Sequence, residues 1–219
     1  MGKSIERTAS GQTASEQETS EQAASTQRII GLTGGIATGK STVSDYLAEQ
    51  HGLPVLDADV YSRQAVAKGG KILDAIAHRY GPTILLSDQT LNRPALGKII
   101  FNNPTEKTWI EQQIHPFVRA KFNQETESYP TNQTLVYSIP LLFEANLTHL
   151  VTEIWVVFCT AEQQKQRLMQ RNQLAEQAAQ VRIEAQMDLK EKCKRADHLL
   201  DNSQTTQDLF HQIDVLLNQ

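Results

Sequence analysis

One short run constrains this chain more than any other: Gly34-Gly35-Ile36-Ala37-Thr38-Gly39-Lys40-Ser41, preceded by Arg28-Ile29-Ile30-Gly31-Leu32-Thr33. It fits G-x-x-x-x-G-K-[ST], and the apolar run before it reads as a buried strand that ends in glycines. Helical spacing of Val43, Tyr46 and Leu47 follows, with Gly52 as the stop. The chemistry needs this order. Glycines at both ends let the loop curl so that its amides turn inward onto phosphate oxygens. A helix starting near Lys40 adds the positive end of its dipole. The Lys40 ammonium can reach the β- and γ-phosphates, and the Ser41 hydroxyl can ligate Mg²⁺. Gly34, Gly35, Ala37, Thr38, Gly39, Lys40, Ser41 and Thr42 are therefore the expected contacts to a nucleoside triphosphate. A dinucleotide site is excluded, because no three glycines stand at G-x-G-x-x-G spacing.

The rest of the chain supplies the sheet such a loop requires. Leu53-Pro54-Val55-Leu56-Asp57, Leu135-Val136-Tyr137-Ser138-Ile139, Ile154-Trp155-Val156-Val157-Phe158 and His198-Leu199-Leu200-Asp201 read as four further strands. Pro140 stops the third, since it cannot donate to a continuing ladder. Thr160-Ala161-Glu162-Gln163 is a capping box that opens a helix. Leu209, Phe210, Ile213, Leu216 and Leu217 recur at helical spacing in a last amphipathic helix. Strands that are wholly apolar and alternate with helices predict an α/β fold with a parallel five-stranded sheet covered on both faces. Residues 60–133 are too long for a simple crossover and predict a helical subdomain inserted beside the sheet.

Composition narrows the class. Seventeen of the first 27 residues are Ser, Thr, Gln or Glu, too polar a stretch to offset its ordering entropy, so residues 1–27 are expected to be a disordered tail. Its four Glu and lack of an apolar core fit neither a transit peptide nor a secretory signal. A net charge of −4 gives no general attraction to nucleic acid, and no apolar run approaches the ~20 residues that span a bilayer. Two cysteines make neither a disulfide scaffold nor a four-thiolate metal site. The expectation is a cytoplasmic globular protein without nucleic-acid or membrane partners.

Asp57-Ala58-Asp59 closes the second strand. Side chains two apart on a strand share a face, and ligands of an open parallel sheet collect beyond its carboxyl ends. Two carboxylates there can hold magnesium water or accept a proton from an attacking hydroxyl. The third strand offers no acid for the metal, so Asp57 or Asp59, through water, is its expected acidic partner. Arg63, four residues after Asp59, can meet an anionic substrate.

Taken together, the chain resembles the dephospho-coenzyme A kinases over nearly all of residues 29–219. The resemblance rests on Gly31 to Ile36 leading into Gly39-Lys40-Ser41-Thr42, on Asp57-Ala58-Asp59 with Arg63, and on Leu96-Gly97 with Phe101. It continues through Ile114-His115-Pro116, Pro140-Leu141-Leu142-Phe143-Glu144, Arg167 to Arg171, Arg182 with Gln186, and Ala196-Asp197 before Asp201-Asn202. Ser138 stands where some members carry Asp. The resemblance implies a P-loop NTPase-type kinase with a core (28–59, 134–160 and 196–219), a helical coenzyme A-binding insertion (about 60–133) and a helical lid (about 161–195). It implies transfer of the γ-phosphoryl of ATP to the ribose 3′-hydroxyl of dephospho-coenzyme A, the last step of coenzyme A synthesis. Lys40, Asp59 as general base and Arg171 are then catalytic. Asp57, Asp59, Arg63 and His115 serve the acceptor, Asn202 the adenine, and Ser41 with Asp57 the metal. Arg167 and Arg171, four apart on one helix face, can close over the phosphates. The alternative is another P-loop kinase of a nucleotide or small metabolite. A GTPase switch is disfavoured because no N-K-x-D segment occurs and Asn202 is followed by Ser203-Gln204.

Overall fold

The computed structural model describes residues 27–218. The expected tail lies outside the described residues apart from Gln27, whose side-chain amide donates to the carbonyls of Pro130 (3.2 Å) and Gln133 (3.1 Å).

All five apolar runs are strands: β1 (Ile29–Gly34), β2 (Val55–Asp57), β3 (Leu135–Ser138), β4 (Glu153–Phe158) and β5 (His198–Asp201). They lie in the order β2-β3-β1-β4-β5, every neighbouring pair parallel. Parallel strands need crossovers, and helices make them. On one face α1 (Lys40–Glu49) and α9 (Thr206–Leu217) lay Val43, Leu47, Leu209 and Ile213 over Ile30, Leu32, Val136, Trp155 and Leu200. On the other, α2 (Ala58–Ala65) and α5 (Pro104–Thr126) bring Tyr61, Val118 and Phe122 over Leu135 and Tyr137. Phe122 stacks on Tyr137 at 4.3 Å between centroids and meets the Tyr61 edge at 5.1 Å.

The inserted stretch contains α2, α3 (Lys71–Tyr80), α4 (Arg93–Asn102) and α5. Its outer part has its own core of Leu73, Ile76, Ile84, Leu96 and Ile110. It is not separate from the sheet along its whole length, because α5 gives Ile110 to the outer core and Val118 and Phe122 to the sheet. The residue before a proline disfavours helix, yet α5 runs unbroken through His115 and Pro116. A mid-helix proline costs about 3 kcal/mol, while each large apolar side chain buried on either side of it returns about 1.5–3 kcal/mol. Burial of both halves decides the outcome. Asn103 caps the helix, accepting from the amides of Thr105 (3.0 Å) and Glu106 (3.3 Å). Glu106 receives Arg79 at 2.7 and 2.9 Å and Tyr80 at 2.5 Å, which holds its carboxyl down at about 2.

After β4 come α6 (Ala161–Asn172), α7 (Glu176–Glu184) and α8 (Leu189–Lys194). The Thr160–Gln163 capping box opens α6 as expected.

Candidate active site

The chain turns opposite ways after β1 and β3, so a crevice opens beyond their carboxyl ends. A cavity of about 1030 Å³ lies there, and Gly34, Gly35, Ala37, Gly39, Lys40, Ser41 and Thr42 all line it. Ala37 (φ 61°) and Gly39 (φ 106°) both sit in the left-handed region, alternating with their neighbours as a phosphate nest requires. A side chain on Gly39 would also fall on the Asn202 amide. Thr38 departs from expectation. It is fully buried, and its hydroxyl donates to the Gly35 carbonyl at 2.9 Å, so it closes the loop from behind rather than facing the cavity.

Asp57 and Asp59 both line the cavity, but not as two residues on one strand face. β2 ends at Asp57, whose Oδ1 accepts from the amides of Asp59 (2.7 Å) and Val60 (3.3 Å) and caps α2; Asp59 is in the first helical turn. The local reason is the Asp side chain itself, which offers the orphan amides of a helix start an acceptor. The other oxygen, Oδ2, accepts from the Ser138 hydroxyl at 2.8 Å and lies 3.8 Å from Lys40 Nζ. Lys40 in turn donates to Ser138. Ser138, at the end of β3, therefore links the loop lysine to the Asp57 carboxylate. Asp59 is exposed to the cavity, and Arg63, one turn further along α2, joins it.

Arg167 and Arg171, both on α6, line the same cavity. Arg167 donates from Nη2 to the Asn202 carbonyl at 3.0 Å, while its buried Nη1 has no hydrogen-bond partner among the described residues. Arg171 is exposed and donates to Asn172 at 3.0 Å. Two expected contacts are not brought into the cavity. Asn202 uses its side-chain amide to hold the Thr38 carbonyl at 2.8 Å, so it supports the loop from outside. His115 sits inside α5, half-buried, and burial pulls its pKa down; the structure does not bring it to this cavity.

Three supports were not legible in the sequence. Gln164, buried on α6, donates to the Ile36 carbonyl at 2.9 Å, and Gln186 accepts from the Ile36 amide at 2.8 Å. Lys192 on α8 is completely buried; its ammonium donates to Gly34 O (3.3 Å) and Pro140 O (3.0 Å) and pairs with Glu144 at 2.9 Å. Glu144 also accepts from the Met187 amide at 3.0 Å.

A phosphate loop, a facing carboxylate and a wall of arginines at the switch point of a parallel sheet define a small-molecule kinase of the P-loop class. The dephospho-CoA kinase family model matches residues 28–208. The chain belongs to that family. A dephospho-CoA kinase of Trichormus variabilis is 57% identical over 193 residues, covering 88% of this chain and 98% of its own length. Among solved structures, TT1252 from Thermus thermophilus is 30% identical with a TM-score of 0.76, covering 88% of this chain and 97% of its own. A dephospho-CoA kinase from Campylobacter jejuni is 28% identical with a TM-score of 0.65, covering 87% and 95%.

Proposed function

We propose that the protein moves the γ-phosphoryl group of ATP onto the ribose 3′-hydroxyl of dephospho-coenzyme A, giving coenzyme A and ADP. The observation that carries this reading is the phosphate loop and the Asp59–Arg63 turn facing one another in one cavity of a chain belonging to this family. A phosphoryl group in flight spreads negative charge over its oxygens, so catalysis is mostly placement and cationic stabilisation. Lys40 and the loop amides grip the β- and γ-phosphates. Arg171, exposed and without an anionic partner among the described residues, is free to swing onto the transferring group, and Arg167 lines the same cavity. Asp59 accepts the proton of the attacking hydroxyl, and Arg63 meets an anionic part of the acceptor.

The Ser41 hydroxyl and the Asp57 carboxylate are hard oxygen donors that line the same cavity, a set suited to Mg²⁺ that keeps several waters. Held there, magnesium would supply positive charge against the charge that develops on the phosphates. In this reading the helices of residues 60–133 take the body of the acceptor, and residues 161–195 act as the lid. The free thiols of Cys159 and Cys193 fit a reducing, cytoplasmic setting.

The test is ADP release by the purified chain with ATP, magnesium and a panel of acceptors. Turnover dependent on dephospho-coenzyme A supports the reading. Turnover only with a nucleoside monophosphate or shikimate transfers it to another kinase of the class.

A further inference from the structure

The phosphate loop holds its amides in alternation, and each choice has a visible cause. The amides of Ile36 and Thr38 are consumed inside the protein, by Gln186 Oε1 (2.8 Å) and Gly35 O (3.3 Å). The intervening peptide units are held by their carbonyls from outside the cavity. Gly34 O is taken by the Lys192 ammonium, Ile36 O by the Gln164 amide and Thr38 O by the Asn202 amide. In a planar trans peptide the N–H points opposite to the C=O. Holding these three carbonyls outward therefore turns the amides of Gly35, Ala37 and Gly39 the other way, towards the cavity that all three line.

From this we infer that Lys192, Gln164 and Asn202 are positioning residues that aim the phosphate-binding amides, Lys192 being the charged one of the three. Its reach explains why a charge is buried there at all. An ammonium taken fully out of water is tolerated only when it is paired and its protons are satisfied. Here Glu144 pairs it, while Gly34 O and Pro140 O take further protons. Thr33 also donates to Pro140 O, at 3.1 Å, so the loop entrance and the segment after β3 share one anchor. Because Lys192 sits on α8, Gln164 on α6 and Gln186 just before α8, the loop is held chiefly by the segment that follows β4. The role rests on the loop being the ATP site.

The experiment measures binding of ATP, inorganic tripolyphosphate and adenosine to the full chain carrying Lys192→Met, Lys192→Arg, Gln164→Leu or Asn202→Ala. A misaimed amide loses a hydrogen bond to a charged oxygen, about tenfold or more in affinity. Lys192→Met and Asn202→Ala should weaken ATP and tripolyphosphate by about that factor and leave adenosine within about twofold. Lys192→Arg, which keeps a cation for the same carbonyls, should recover most of the loss. If Lys192→Met melts below the assay temperature, Gln164→Leu and Asn202→Ala carry the same test. Folded variants that bind ATP like wild type overturn the inference, as does an equal loss for adenosine and tripolyphosphate. Wild type that binds neither ATP nor tripolyphosphate instead refutes the reading of the loop itself.

Discussion

Asp57 does two things that a pair of substitutions can separate. Its Oδ1 caps α2, and its Oδ2 carries charge towards Ser138 and Lys40. Asp57→Ala removes both. Loss of an N-cap costs about 1 kcal/mol, and loss of the acceptor for Ser138 about 1 kcal/mol more. Two kcal/mol lowers Tm by about 4–8 °C in a domain of this size. Asp57→Asn keeps a carbonyl oxygen for the cap, and Asn caps as well as Asp. Its stability cost is the lost charge at a helix start, roughly 0.3–1 kcal/mol, or about 1–4 °C. Both variants lose the carboxylate proposed above for the metal and should turn over on the order of 10²–10³ more slowly, the cost of one charge-stabilising group. Thermal melting and coupled ADP release read the two effects independently. Asp57→Asn with wild-type kcat would refute the electrostatic role, and Asp57→Ala as stable as Asp57→Asn would refute the cap.

Other expected outcomes follow from the same geometry. Asp59→Asn should cost towards the lower end of the ~10²–10⁴ typical of general-base loss, because a loose transition state gains little from early proton removal; pH–rate profiles at saturating ATP check it. Phe122→Ala, which deletes the ring that stacks on Tyr137 and meets Tyr61 edge-to-face, should destabilise by about 3–5 kcal/mol in urea unfolding. Glu106 titrates at about 2 in the folded protein, against an ordinary value of 4.5, because Arg79 and Tyr80 donate to it. A depressed carboxyl contributes stability that is complete above its ordinary value and is lost as pH falls through the folded one. Wild type should therefore exceed Glu106→Gln in stability at pH 7, and their melting curves should converge by about pH 2.

The sheet was readable because strands buried on both faces must be apolar throughout, and few other local structures produce five such runs between helical patterns. The loop was readable because its chemistry fixes residue types at fixed spacing. What local reading missed has one physical cause: a contact between residues far apart in the chain. Asp57 and Asp59 read as strand neighbours because nothing nearby in sequence says that the strand stops at the residue that also caps a helix. The proline at 116 reads as a break, since the burial that keeps α5 whole comes from the sheet and from α3 and α4. Lys192 lies in Lys190-Glu191-Lys192-Cys193-Lys194-Arg195, where period and charge suggest solvent; its partner Glu144 is 48 residues away. Asn202 also holds the Thr38 carbonyl, a contact that local reading misses because the two residues lie 164 apart.

The central claim is that the loop of residues 34–41 aims a terminal phosphoryl group at one particular alcohol. Its most direct test is phosphorus and proton NMR of the product formed by the purified chain from ATP and dephospho-coenzyme A, with Lys40→Ala alongside. The account predicts a new monoester on the ribose 3′-oxygen and a rate lower by on the order of 10²–10³ in the variant. A phosphate on any other atom, or the same product formed at full rate without Lys40, would contradict it.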